Sequence, residues 1–166
     1  FQTNTRGAGK LYETVGRYAD LKGDETVVDL YCGTGTIAIW LAARARRVIG
    51  LELVESAVAD ARKNCLSNGI DNCSFILGDI KDTLENIATT PDLLVIDPPR
   101  AGMHKDVLKQ VCRLGPEKIV YVSCNPATMA RDMLELKEDY TLAEVQPVDM
   151  FPHTFHIESV ARLVRK

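Results

Sequence analysis

Thr26-Val27-Val28-Asp29-Leu30-Tyr31-Cys32-Gly33-Thr34-Gly35-Thr36 is the stretch on which the fold turns. Its apolar and β-branched residues over 26–31 predict a buried strand. The Gly33-Thr34-Gly35 turn lets the backbone reverse tightly and approach a ligand, and a helical period then runs over 36–45. Strand, glycine turn and helix in that order open an α/β fold. The alternation continues outward, with strands expected at 48–53, 74–77, 93–97 and 118–123 and helices at 55–67, 104–112 and 127–136. A further helix over 10–21 precedes the first strand, with Leu11, Val15 and Tyr18 on one face. Asn68-Gly69 marks a helix end, and Pro98-Pro99 stops the fourth strand. The end of the chain differs: 141–148 and 157–164 are both strand-like with only a loop between them, which predicts antiparallel pairing. The fold class is therefore α/β, an open sheet covered on both faces, mostly parallel with a C-terminal antiparallel hairpin.

The chain has 166 residues, 46% of them hydrophobic, which fits one domain with its own core. Twenty Lys and Arg against 23 Asp and Glu give a net charge of −3. That balance argues against a sequence-independent nucleic-acid binder, which is usually basic. No apolar run is long enough to span a membrane, and nothing reads as a signal peptide. The five cysteines, Cys32, Cys65, Cys73, Cys112 and Cys124, show no CxxC spacing, which argues against zinc or iron–sulfur ligation. An odd count without a secretory signal suggests reduced thiols and a cytoplasmic location. Phe1-Gln2-Thr3-Asn4 carries no initiator Met, so residues 1–166 are expected to be one domain cut from a longer protein.

In open α/β sheets, ligands sit beyond the carboxyl ends of the strands. Glu52 ends the second strand, where a carboxylate can accept both hydroxyls of a ribose, and Gly78-Asp79 ends the third, where it can meet an adenine edge. Gly33-x-Gly35-x-x-Ala38 also fits a dinucleotide fingerprint. Asp97-Pro98-Pro99-Arg100, however, has no use in a nicotinamide enzyme. Asp97-Pro98-Pro99 resembles the Asp/Asn-Pro-Pro-aromatic motif of amino-methyltransferases, but Arg100 stands at the aromatic position. Ser123-Cys124-Asn125-Pro126 follows the fifth strand, and Phe151-Pro152-His153-Thr154-Phe155-His156-Ile157-Glu158 leads into the last. A thiol and a carboxylate near a methyl donor suit methylation at carbon 5 of a pyrimidine. The thiolate adds to carbon 6, carbon 5 becomes nucleophilic, and a base removes its proton afterwards. Residue by residue the plainer readings stay open: Cys124 and Cys32 as packed small residues, Glu158 as a strand charge, His153 and His156 as loop residues. Arg44, Arg46 and Arg47 read as a solvated helix end.

Taken together, Phe1-Gln2-x-Asn4, Asp29-Leu30-Tyr31-Cys32-Gly33-Thr34-Gly35-Thr36, Gly50-Leu51-Glu52, Asp97-Pro98-Pro99-Arg100-Ala101-Gly102, Val122-Ser123-Cys124-Asn125-Pro126 and Phe151-Pro152-His153-Thr154-x-His156-x-Glu158 resemble the RNA uracil-5-methyltransferase family, which modifies tRNA and 23S ribosomal RNA. The resemblance spans essentially the whole chain. It implies a class I S-adenosylmethionine-dependent methyltransferase fold, Rossmann-like. It also implies methyl transfer from S-adenosyl-L-methionine to a uridine in RNA, 23S rRNA ahead of tRNA, leaving S-adenosyl-L-homocysteine and using no metal. By the same resemblance Cys124 would be the nucleophile and Glu158 the base. Gln2, Tyr31, Gly33, Gly35, Thr36, Glu52, Asp79 and Asp97 would line the cofactor and uracil site, Thr36 standing where some relatives have Asn. Family members carry an N-terminal RNA-binding module, sometimes with an iron–sulfur cluster, and a central domain, which implies that tight RNA binding resides outside these 166 residues. Rival readings are a cytosine-5 methyltransferase, which usually places its nucleophile after Pro-Cys, an amino-methyltransferase, and a non-catalytic domain that keeps the fold.

Overall fold

The structure is a computed structural model that describes residues 5–150, 153–154 and 157–166. Gln2 and the Phe151, Pro152, Phe155 and His156 part of the C-terminal motif lie outside the described residues. The elements run α1 (Thr5–Ala19), β1 (Thr26–Leu30), α2 (Thr36–Ala42), β2 (Arg47–Glu52), α3 (Glu55–Ser67), β3 (Cys73–Leu77), α4 (Ile80–Leu84), β4 (Leu93–Ile96), α5 (Lys105–Leu114), β5 (Lys118–Ser123), α6 (Pro126–Leu136), β6 (Tyr140–Val148) and β7 (Glu158–Arg165).

The strands form one sheet in the order β3-β2-β1-β4-β5-β7-β6. The first five are parallel, and β7 inserts antiparallel between β5 and β6. The expected hairpin is thus present, with its second strand innermost. Side chains of successive strand residues point to opposite faces, and the core divides accordingly. Val27, Val95 and Val120 pack with Leu11, Val15 and Ala38 of α1 and α2. Val28, Leu94, Ile119 and Tyr121 pack with Leu84, Val111 and Leu136 of α4, α5 and α6. Strands buried on both faces explain the continuous apolar run of β4 and the apolar character of β1 around Asp29.

Three helices depart most from the sequence expectation, and one of them, α2, ends at Ala42 rather than at residue 45. The first helix begins five residues earlier than the apolar face suggested, at Thr5 rather than residue 10. The five-residue α4 was not expected; it starts where the Asp79 side chain accepts the Lys81 N–H at 2.9 Å. The expected helix start at His104 is its cap, whose Nδ1 accepts the Asp106 N–H.

The strand order reverses beside β1, between β1 and β4, and the glycine turn lies there. Gly35 has φ 79°, and a Cβ added to it would come within 2.9 Å of the Phe75 ring and 3.1 Å of the Ala61 Cβ. We expect Gly35→Ala to destabilise the chain by about 2 kcal/mol or more, from the left-handed backbone and the displaced Phe75 together. Urea denaturation checks this; an unchanged midpoint would show that the turn has slack.

Candidate active site

Strand register brings the chemistry-bearing residues to one edge. Leu30 pairs with Leu51 and Ile96, so the following residues, Tyr31, Glu52 and Asp97, leave the sheet side by side. Ser123 pairs with Ser159 in the antiparallel sense. One step beyond that pair, Cys124 and Glu158 leave their strands toward the same edge. Asp79 follows β3, beyond Gly78, whose N–H donates to the Glu52 carbonyl.

Glu52 ties the glycine turn to β2. One carboxylate oxygen accepts the Gly33 N–H at 2.9 Å, and the other accepts the Leu53 and Val54 N–H groups, each at 2.9 Å. The Cys32 N–H also donates to the Leu51 carbonyl. A carboxylate offers about four lone-pair sites, so Glu52 retains acceptor capacity toward the cleft.

Two adjoining cavities lie along this edge. A smaller one of about 140 Å³ is lined by Leu11, Tyr12, Asp29, Tyr31, Cys32, Gly33, Thr34, Thr36, Ile37 and Asp97. A larger one of about 640 Å³ is lined by Tyr31, Glu52, Leu53, Val54, Asp79, Ile80, Lys81, Pro99, His104 and Val107. Tyr31, in the left-handed region at φ 62°, belongs to both and stands between them. The structure thus gathers Tyr31, Gly33, Thr36, Glu52, Asp79 and Asp97 around one cleft. Gly35 lies beneath it, buried against Phe75.

The small cavity is strongly acidic. Asp29 is 1% exposed, and neither carboxylate oxygen has a hydrogen-bond partner. Burial, then the charge of Asp97, hold its carboxyl well above the usual range. Burial, then the charge of Glu158, push Asp97 up to about 7. Glu158 is itself buried and raised by that burial. The Cys124 thiol is half-buried and held above its ordinary value by burial and the charge of Glu158, with Arg100 pulling the other way and Asp97 adding to the rise. Cys124, Glu158, Asp97 and Asp29 therefore form one electrostatic group. Cys32 is buried under the turn with its thiol pushed far up by that burial, as expected of a packing residue.

Sequence reasoning missed two residues of this site. Asp29 is an acidic residue inside an otherwise apolar central strand, and that cost of burial was the available signal. Tyr12 packs at the edge of the apolar face of α1 and lines the small cavity, its ring 6.0 Å from that of Trp40.

The reversal of strand order at this acidic cleft, with β7 inserted antiparallel, defines the class I S-adenosylmethionine-dependent methyltransferase fold. The chain belongs to the methyltransferase domain family, whose profile it matches over residues 21–159. It is 52% identical over 171 aligned positions to a protein of Porphyromonas gingivalis described as an uncharacterized RNA methyltransferase, covering 99% of this chain and 37% of that protein. The Pyrococcus abyssi tRNA (uracil-54, C5)-methyltransferase, solved with S-adenosyl-L-homocysteine, superposes with a TM-score of 0.88 at 41% identity, over 99% of this chain and 40% of that one. A precorrin-6y C5,15-methyltransferase of Geobacter metallireducens superposes at 0.80 with 15% identity, over 95% of this chain and 87% of that one, a likeness of fold alone. The chain spans just over a third of the length of the curated relatives it matches. Among the described residues no three His, Cys, Asp or Glu side chains are arranged to hold a metal ion. No described helix is long and apolar enough to cross a membrane.

A carboxyl that is raised on folding binds its proton more tightly in the folded state, so acid favours folding. The stabilisation from Asp97 is full below about pH 4 and lost as pH rises through about 7. The ligand-free chain should therefore be more stable at about pH 5 than Asp97→Asn behaviour alone would give, and should lose that advantage by about pH 8. Chemical denaturation of both proteins at the two pH values checks it. An identical pH dependence in Asp97→Asn would contradict the raised carboxyl.

Proposed function

We propose that this chain binds S-adenosyl-L-methionine and methylates carbon 5 of a uridine in RNA through a covalent bond from Cys124. The observation that carries the reading is the β5–β7 register, which sends a thiol and a buried carboxylate out of adjacent strands beside Asp97. The Pyrococcus abyssi relative, which by its name acts on uracil-54 of tRNA, supports the same chemistry. The preference for 23S rRNA over tRNA rests on the sequence resemblance alone, and assays on the two RNAs separate them.

The cleft suits the cofactor on its own terms. Asp29 and Asp97 offer carboxyl oxygens to an ammonium group, those of the buried Asp29 having no hydrogen-bond partner among the described residues, and an entering cation favours their ionised forms. Glu52 offers acceptor capacity to ribose hydroxyls, and Asp79 and Tyr31 flank the larger cavity for the base. Gly33 and Thr36 contribute backbone and hydroxyl to the small cavity, and Gln2 joins this set by resemblance. S-adenosylmethionine, when bound, supplies the methyl group as an electrophile and leaves as S-adenosylhomocysteine.

The residues then divide the work. Once the Cys124 thiol has lost its proton to solvent, the thiolate bonds to carbon 6 of the uracil, and the electron pair of the 5,6 double bond moves onto the ring and its carbonyl. Carbon 5 takes the methyl group. The Glu158 carboxylate, made a stronger base by its burial, takes the carbon 5 proton; the double bond re-forms and the carbon–sulfur bond breaks. The net charge of −3 leaves little general attraction to phosphate. We place tight RNA binding in the part of the relatives' length that this chain does not match, and residues 1–166 as the catalytic domain.

Cys124→Ala should form neither product nor adduct. Glu158→Gln should still form the bond and transfer the methyl group, then release product about 10²–10⁴-fold more slowly. A methyl-labelled protein–RNA band on a denaturing gel checks this. Normal turnover by Glu158→Gln, or an adduct with Cys124→Ala, would contradict the assigned roles. Methylated product from Cys124→Ala would favour methylation of an amine.

A further inference from the structure

The loop between β4 and α5 starts at Asp97 and is held almost entirely by α6 and its cap. The Arg100 carbonyl accepts from Asn125 Nδ2 and from Thr128 Oγ1, each at 3.3 Å. The Ala101 and Met103 carbonyls accept from Arg131 Nη2 at 2.9 and 3.4 Å. The Met103 N–H donates to Asp132 Oδ2 at 2.8 Å, and the Tyr121 hydroxyl donates to the same oxygen at 2.6 Å. Arg131 closes on Asp132 Oδ1 through Nε at 2.9 Å and Nη2 at 2.6 Å. Asp132 is wholly buried, and its neighbours leave no room for a side chain at Gly102. A Cβ there would lie 2.5 Å from Arg131 Nη2 and 2.7 Å from Asp132 Oδ2, at φ 77°.

A buried carboxylate is a poor way to gain stability, because well-packed apolar residues often do as well or better. What this one does is fix a loop. The Asn125 side chain that holds the Arg100 carbonyl belongs to the residue after Cys124, so the loop and the β5–α6 turn move as one piece. The Arg100 side chain is exposed and makes no hydrogen bond or ion pair among the described residues. Three charged groups among the described residues act on Cys124: Glu158 of β7, Asp97 after β4, and Arg100 of this loop, the only cation of the three.

We propose that Arg131 and Asp132 are positioning residues of the site: by holding the loop over residues 97–103 against α6, they keep the Arg100 guanidinium within electrostatic reach of Cys124, opposite in sign to Asp97 and Glu158. The pair touches neither cofactor nor substrate in this account and acts through Arg100. The proposal rests on the reading of Cys124 as the reacting thiol, but its test does not require methylation.

The test is the rate of Cys124 alkylation by iodoacetamide against pH, followed on the Cys124 peptide by mass spectrometry. The thiolate is the reacting form. Arg100→Gln should slow alkylation at pH 8 about threefold, and the same profile should appear in Arg131→Ala. Arg131→Lys keeps the charge but loses the two-pronged contact with Asp132, so it should resemble Arg131→Ala. The Arg100→Gln/Arg131→Ala double variant should be no slower than Arg100→Gln. Thr128→Val, which removes one bond to the Arg100 carbonyl, gives a second reading if the Arg131 variants do not fold. Wild-type profiles in the folded Arg131 variants, with Arg100→Gln slowed, would overturn the positioning role. An unchanged profile in Arg100→Gln would overturn the action of Arg100 on the thiol. Shifted profiles without any 5-methyluridine formed would overturn the proposed function and leave the positioning intact.

Discussion

The antiparallel register between β5 and β7 is the constraint from which the site follows. With Ser123 opposite Ser159, Cys124 and Glu158 emerge at the edge where β1, β2 and β4 also end. A slip of one residue would turn every side chain of β7 to the other face, burying what should be exposed and removing Glu158 from Asp97. The apolar residues of β7 resist such a slip. Val160 packs in one core layer while Ala161 and Leu163 pack in the other.

The second consequence is electrostatic. Asp29, Asp97 and Glu158 share a small region, and burial is the leading cause of the rise in each. Such an arrangement weakens the empty domain. It becomes favourable when a cation enters, which an ammonium-bearing cofactor would provide in the proposed reading. Glu158 and Asp97 oppose ionisation of Cys124, and a backbone N–H and then the exposed Arg100 act in the opposite direction. The Glu52 bridge to Gly33, Leu53 and Val54 adds rigidity on the other side of Tyr31. Acidic pocket, thiol and rigid glycine turn therefore depend on one another through the sheet edge.

Much of this was legible in the sequence, for identifiable reasons. The bounds of α3 and β5 match the expectation because Asn68-Gly69 and Ser123-Cys124-Asn125-Pro126 are strong local stops. The N–H of Ile70 indeed returns to the Cys65 carbonyl at 2.9 Å. The short α4 escaped because five residues carry too little periodicity. Asp29 escaped because a single charge in a strand shows its cost only once both faces are known to be covered. The Arg131–Asp132 clamp escaped because its partners, Tyr121, Ala101 and Met103, are distant in sequence or act through backbone atoms. Gln2 lies outside the described residues, and its role stands on resemblance.

The central claim is substitution at carbon 5 of uridine. RNA carrying tritium at that carbon, incubated with S-adenosylmethionine and a protein containing this domain, tests it directly. The account predicts one tritium released to water for each methyl group gained by the RNA. Methyl groups gained without tritium release would place the reaction at another atom and contradict it.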